Sequence, residues 1–100
     1  MSGQATISAD VLASYAADAA REVAGVRGLV ESPVPGRRGV RIASGDDSLR
    51  VELHLALDWG ASIPEVGREV QARVRDYLAR MAAVPRVLVD VVVDEIGPRP

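Results

Sequence analysis

Leu49-Arg50-Val51-Glu52-Leu53-His54-Leu55-Ala56-Leu57-Asp58 is the stretch on which the fold turns. Successive side chains of a β-strand emerge on opposite faces, so Leu49, Val51, Leu53, Leu55 and Leu57 line one side of it. Arg50, Glu52, His54, Ala56 and Asp58 line the other. A helix would scatter the same residues around its axis. The alternation predicts a strand with one face on a core and the other towards solvent or a partner.

The flanking segments take their roles from this strand. On its N-terminal side, Ser44-Gly45-Asp46-Asp47-Ser48 is a turn and Val40-Arg41-Ile42 a short strand, which together predict a hairpin. On its C-terminal side, Trp59-Gly60-Ala61 closes the strand and Ser62 opens a helix. Ser62 and Glu65 stand three apart as a capping box, and Pro64 is tolerated in the first turn. Val66, Val70, Val74, Tyr77, Leu78 and Met81 recur at helical spacing as its apolar stripe. Glu69 with Arg73 and Asp76 with Arg80 are i,i+4 pairs on its wet side. Pro85 ends the helical region. Arg86 to Ile96 is a last strand, with Val87, Val89, Val91 and Val93 on one face and Leu88, Asp90, Val92 and Asp94 on the other.

Nearer the N-terminus, Ser8 to Ala24 reads as a helix. The Ser8 hydroxyl is placed to accept an N–H of the first turn. Leu12, Tyr15, Ala16, Ala19, Ala20 and Val23 form its apolar face, and Gly25 suits a left-handed C′ position. Glu31 to Gly39, rich in Pro and Gly, is a loop. The predicted order is α-β-β-α-β: an α+β fold, with a three-stranded mixed sheet and two helices on one face. A helical crossover between the last two strands leaves them parallel if they are neighbours. The expected domain spans residues 7–97, between a flexible N-terminal tail (1–6) and a C-terminal tail (98–100).

Composition narrows the function classes. Among 100 residues, 48% are hydrophobic and 26% charged, a globular balance. With no Phe and only Trp59, Tyr15 and Tyr77 aromatic, the core must be aliphatic. The absence of Cys removes disulfides, thiolate nucleophiles and cysteine metal sites. A formal charge of −2 gives no global field towards nucleic acid or anionic lipid. All twelve basic residues are Arg, in keeping with a GC-rich coding sequence. No apolar stretch approaches the ~20 residues needed to span a bilayer, and Met1 to Thr6 does not read as a signal peptide. The expectation is a cytoplasmic protein, membrane-associated only through a partner.

Asp58-Trp59-Gly60-Ala61-Ser62-Ile63-Pro64-Glu65-Val66 resembles a segment of the alkaline-shock (Gls-type) envelope stress response family of bacteria. There an alternating strand meets an aromatic-Gly pair and then an Ile-Pro-Glu-Val helix start. Val23-Ala24-Gly25-Val26, Gly39-Val40-Arg41-Ile42 and Val89-Asp90-Val91-Val92-Val93 agree with the family in order and spacing. The resemblance runs from Thr6 to Ile96. It departs from the family in a short loop from Leu29 to Arg38, in Trp59 where Tyr is commoner, and in Gly67. It implies a protein that is not an enzyme, serves cell-envelope homeostasis and self-associates. It further implies a small membrane-anchored protein partner that holds the chain at the inner membrane face, and no cofactor.

Few residues carry chemistry of their own. His54 shares a strand face with Glu52, but the sequence offers it no nucleophile and no second His, so a solvated surface residue is the ordinary reading. Asp46-Asp47-Ser48 lacks the spaced oxygen ligands of a calcium loop and reads as a polar turn. Gly36-Arg37-Arg38-Gly39 has the G-x-x-G form with which KH domains clamp nucleic-acid backbone, and a KH-like RNA-binding domain is the alternative function. Against it, KH loops join two helices, whereas a strand follows here. Arg37 and Arg38 then serve solubility or contact an acidic partner. Trp59 is either a cap over the core or an interface anchor. Leu88, Val92 and Ala56, with His54, give the outward sheet face an apolar component, and these residues with Trp59 are the candidate interface.

Overall fold

The computed structural model describes residues 7–31, 39–45, 47–83 and 86–99. Its elements are α1 (Ala9–Arg21), β1 (Val26–Leu29), β2 (Val40–Ser44), β3 (Ser48–Leu57), α2 (Ile63–Ala82) and β4 (Arg86–Ile96). The expected α+β architecture holds, with one strand more than expected.

Both helices start where their caps predict. The Ser8 Oγ accepts the Val11 N–H at 3.2 Å, and the Ser62 Oγ accepts the Glu65 N–H at 3.4 Å. The first helix ends earlier than Ala24, with Glu22 as its C-cap. Gly25 adopts the left-handed conformation, φ +95°, but three residues beyond that cap, where it turns the chain into β1. Of the two helical ion pairs, Glu69 and Arg73 close to 3.5 Å, and Arg73 also reaches Glu22 on α1 at 3.4 Å.

The long alternating strand is the axis of the sheet. β4 runs parallel to β3 along its whole length, Ser48 facing Arg86 and Leu57 facing Ile96, as a helical crossover requires. The other edge of β3 is shared. β2 pairs antiparallel with Leu49–Leu53, closing the expected hairpin through the Gly45 N–H to Ser48 carbonyl bond, and β1 pairs antiparallel with Leu55–Leu57. The handover falls at His54, whose N–H donates to the Gly39 carbonyl and whose carbonyl accepts the Val30 N–H, both at 2.8 Å. β1 and β2 therefore follow one another along a single edge, as one strand with the segment between them inserted.

This corrects the three-strand expectation to a four-stranded mixed sheet occupying three columns. β1 has only four residues, includes Gly28, and shows none of the alternation that marks a strand in sequence. Its pairing is supplied by β3, which the local sequence does not reveal. At the handover the two halves nearly touch: a Cβ on Gly39 would lie 2.7 Å from the Val30 carbonyl oxygen and 2.9 Å from the Leu29 Cβ. Only glycine fits there.

Both helices pack on the same face of the sheet. Leu49, Val51, Leu53, Leu55 and Leu57 are buried there against Leu12, Ala16, Ala19 and Ala20 of α1 and Val66, Val70, Val74 and Leu78 of α2. The buried alanines let α1 approach closely, and Tyr15 meets Tyr77 edge-on, ring centroids 5.8 Å apart. Met81, expected on the apolar stripe, is exposed. Among the described residues no buried side-chain polar atom lacks a partner. The second sheet face is left uncovered by either helix.

Candidate functional site: the open face of the sheet

The uncovered face is built by alternation. Each inward leucine or valine of β3 forces its neighbour outward, so Arg50, Glu52, His54 and Ala56 stand in a row. Parallel register sets Leu88 beside Arg50, Asp90 beside Glu52 and Val92 beside His54. Asp94 continues this row by the same alternation, beside a register shift between Leu55 and Ala56, and its carboxylate reaches His54. β2 contributes Arg41 opposite Glu52.

The centre is a three-residue charge bridge. His54 Nε2 lies 3.0 Å from Glu52 Oε2, and Nδ1 lies 2.7 Å from Asp94 Oδ2. A neutral imidazole has one N–H and one lone pair, so only the protonated ring donates to both carboxylates. Those two hydrogen bonds, Glu52 first and Asp94 second, hold the His54 pKa above its ordinary 6.5 against the opposing effect of partial burial. Reciprocally, the hydrogen bond from His54 holds Glu52 below its ordinary 4.5, with Arg41 assisting. Longer contacts extend the bridge, Arg41 to Glu52 at 3.9 Å and Arg50 to Asp90 at 4.0 Å.

Apolar side chains flank the bridge. Leu88 is 41% exposed and Val92 36%, as the sequence placed them, while Ala56 is half-buried. His54, expected as an ordinary solvated residue, is instead engaged at both ring nitrogens, and its side chain is 29% exposed. The sequence showed Glu52 on its face. It also placed Asp94 on the outward face of the last strand, but not the neighbour or the register of that strand, so the contact of Asp94 with His54, forty residues away, comes from the sheet topology.

Trp59 stands apart. It is 52% exposed, so it is no cap over the aliphatic core. Gly60, at φ +86°, turns the chain away beneath it, and the Arg99 guanidinium lies 5.6 Å from its ring centroid. Arg37 and Arg38 lie outside the described residues, as does Asp46. The G-x-x-G stretch falls between β1 and β2, in the insertion of an edge strand, and not between two helices as in a KH domain.

Chemically the face suits contact better than catalysis. Both nitrogens of the single His already face carboxylates, so neither is open as a general base or metal ligand. Among the described residues no group of three His, Cys, Asp or Glu could hold a metal ion. Among them, too, no helix is long and apolar enough to cross a membrane.

Comparison with known proteins agrees with the sequence resemblance. A family model of the alkaline shock protein type, described by a cell envelope-related function, matches residues 1–98. The chain is 30% identical over 92 residues to the uncharacterized protein YqhY of Bacillus subtilis (strain 168), covering 82% of this chain and 68% of that protein. In fold it is similar to the nickel form of a MamM CTD variant, with TM-score 0.60 and 18% identity, over 86% of this chain and 96% of the other. The copper form of MamM CTD matches over 91% of each chain, with TM-score 0.58 and 19% identity.

Proposed function

The chain belongs to the alkaline shock protein family of cell envelope-related function, and from that membership we propose that it is a non-catalytic interaction module of envelope homeostasis. It self-associates, and a membrane-anchored protein partner recruits it from the cytoplasm to the inner membrane face. The observation that carries this reading is the open sheet face. Exposed Leu88 and Val92 stand there beside a fixed charge bridge, with no helix covering them. Apolar side chains framing oriented charges favour a protein partner, since the first supply burial and the second supply register. A lipid surface would instead call for a basic face, and this one carries Glu52, Asp90 and Asp94 against Arg41 and Arg50.

Fractionation tests the recruitment. In its own cells the protein should co-sediment with membranes, and that fraction should fall severalfold for the Leu88→Glu/Val92→Glu variant. Purified protein should not float with phosphatidylglycerol-rich liposomes. Strong flotation with lipid alone would overturn partner-dependent recruitment.

A further inference from the structure

β4 is an edge strand, and its sequence is nearly symmetric about Asp90. Arg86-Val87-Leu88-Val89-Asp90-Val91-Val92-Val93-Asp94 reads the same in polarity from either end, with opposite charges at the two termini. We propose that β4 pairs antiparallel with β4 of a second copy about a two-fold axis through Asp90, joining two sheets into one. This rests on the self-association reading above and names its surface.

The backbone is oriented for such pairing. The N–H and carbonyl of His54 both bond to the β1–β2 edge, so alternate residues of β3, Val51, Leu53 and Leu55, turn theirs towards β4. In parallel register those groups meet Leu88, Asp90 and Val92. Val87, Val89, Val91 and Val93 therefore turn their N–H and carbonyl groups to the free edge. The Val89 carbonyl shows the same direction, because it accepts a hydrogen bond from the Gln71 side chain of α2 at 3.1 Å, beyond the β3 side. On pairing, the Val91 N–H of the second copy takes the place of Gln71 or shares that oxygen.

The side chains complete the fit. In the symmetric register Val87 faces Val93 and Val89 faces Val91 as hydrogen-bonded pairs, and Leu88 faces Val92 and Arg86 faces Asp94 on the open face. Val89, Val91 and Val93 point towards the core yet are only partly buried, and Leu88 and Val92 are exposed. A second β4 covers both sets. The one mismatch is Asp90 opposite its own copy, with Arg50 4.0 Å away on each side as counter-charge. A strand edge left unblocked by proline is a template for this kind of addition.

The absence of Cys allows a direct test. Facing residues on the axis are a non-hydrogen-bonded pair with Cα atoms about 4.5 Å apart, within disulfide reach. Under diamide, Asp90→Cys should form a covalent dimer at least tenfold faster than Asp76→Cys on the exposed side of α2. Equal rates would overturn the proposal. Separately, Arg86→Glu should weaken self-association about tenfold by setting like charges opposite at two symmetric sites. Adding Asp94→Arg should restore it, and failure to restore in a folded double variant counts against this register. If Asp90→Cys crosslinks no faster than the control while wild type still self-associates through Leu88 and Val92, the edge pairing fails and the face reading stands. If wild type does not self-associate at all, both fail.

Discussion

His54 is the residue at which backbone and side-chain constraints meet. Its main chain joins the two halves of the edge strand, and its ring joins two carboxylates from different strands. Because the folded His54 pKa lies above its unfolded value, its contribution to stability is complete below about pH 6.5 and is lost as pH rises through the raised value. Glu52, held below 4.5, behaves oppositely: its contribution is present above that pH and lost as pH falls through the lowered value. The bridge is therefore strongest between those limits. The thermal midpoint should fall from pH 6 towards alkaline pH, and His54→Gln should flatten that slope while leaving circular dichroism unchanged. A variant with the wild-type slope would show that the bridge does not govern it. Half of this site was legible in sequence, since alternation puts Glu52 beside His54. Alternation also puts Asp94 on the outward face of β4, but its contact with His54 was not legible, because it depends on β4 pairing with β3 in this register.

Among the elements, those with local signals were read and those held by tertiary pairing were missed. Ser8 and Ser62 marked both helix starts through a hydroxyl in reach of a free N–H. Ser62→Ala should cost about 1 kcal/mol in a urea titration, without altering the fold. β1 carried no such mark, since Val26-Arg27-Gly28-Leu29 becomes a strand only against Leu55–Leu57. Its position depends on the turn at Gly25. An Ala there would adopt φ +95° and put its Cβ 2.9 Å from the Val66 Cγ2. Gly25→Ala should therefore cost on the order of 1–3 kcal/mol, more than Ser62→Ala in the same titration. The reverse ranking would mean that the α1–β1 turn relaxes freely.

At the scale of the whole molecule, one aliphatic face of β3 organises everything on the helical side and leaves the other side open. Leu53 and Leu55 are fully buried under both helices, so Leu53→Ala should lower stability by about 2–5 kcal/mol. Leu88 and Val92 belong to no such core, and because they are only 41% and 36% exposed, burying what remains contributes about 1–2 kcal/mol per protomer before the cost of association. That yields a weak, concentration-dependent assembly and not a tight dimer. Sedimentation velocity across a concentration series, with wild type and Leu88→Glu/Val92→Glu side by side, tests the account most directly. The wild-type weight-average coefficient should rise with concentration, and the double variant, folded by circular dichroism, should remain monomeric throughout. A folded double variant that assembles as wild type does would contradict the assignment of the open face and its edge as the contact surface.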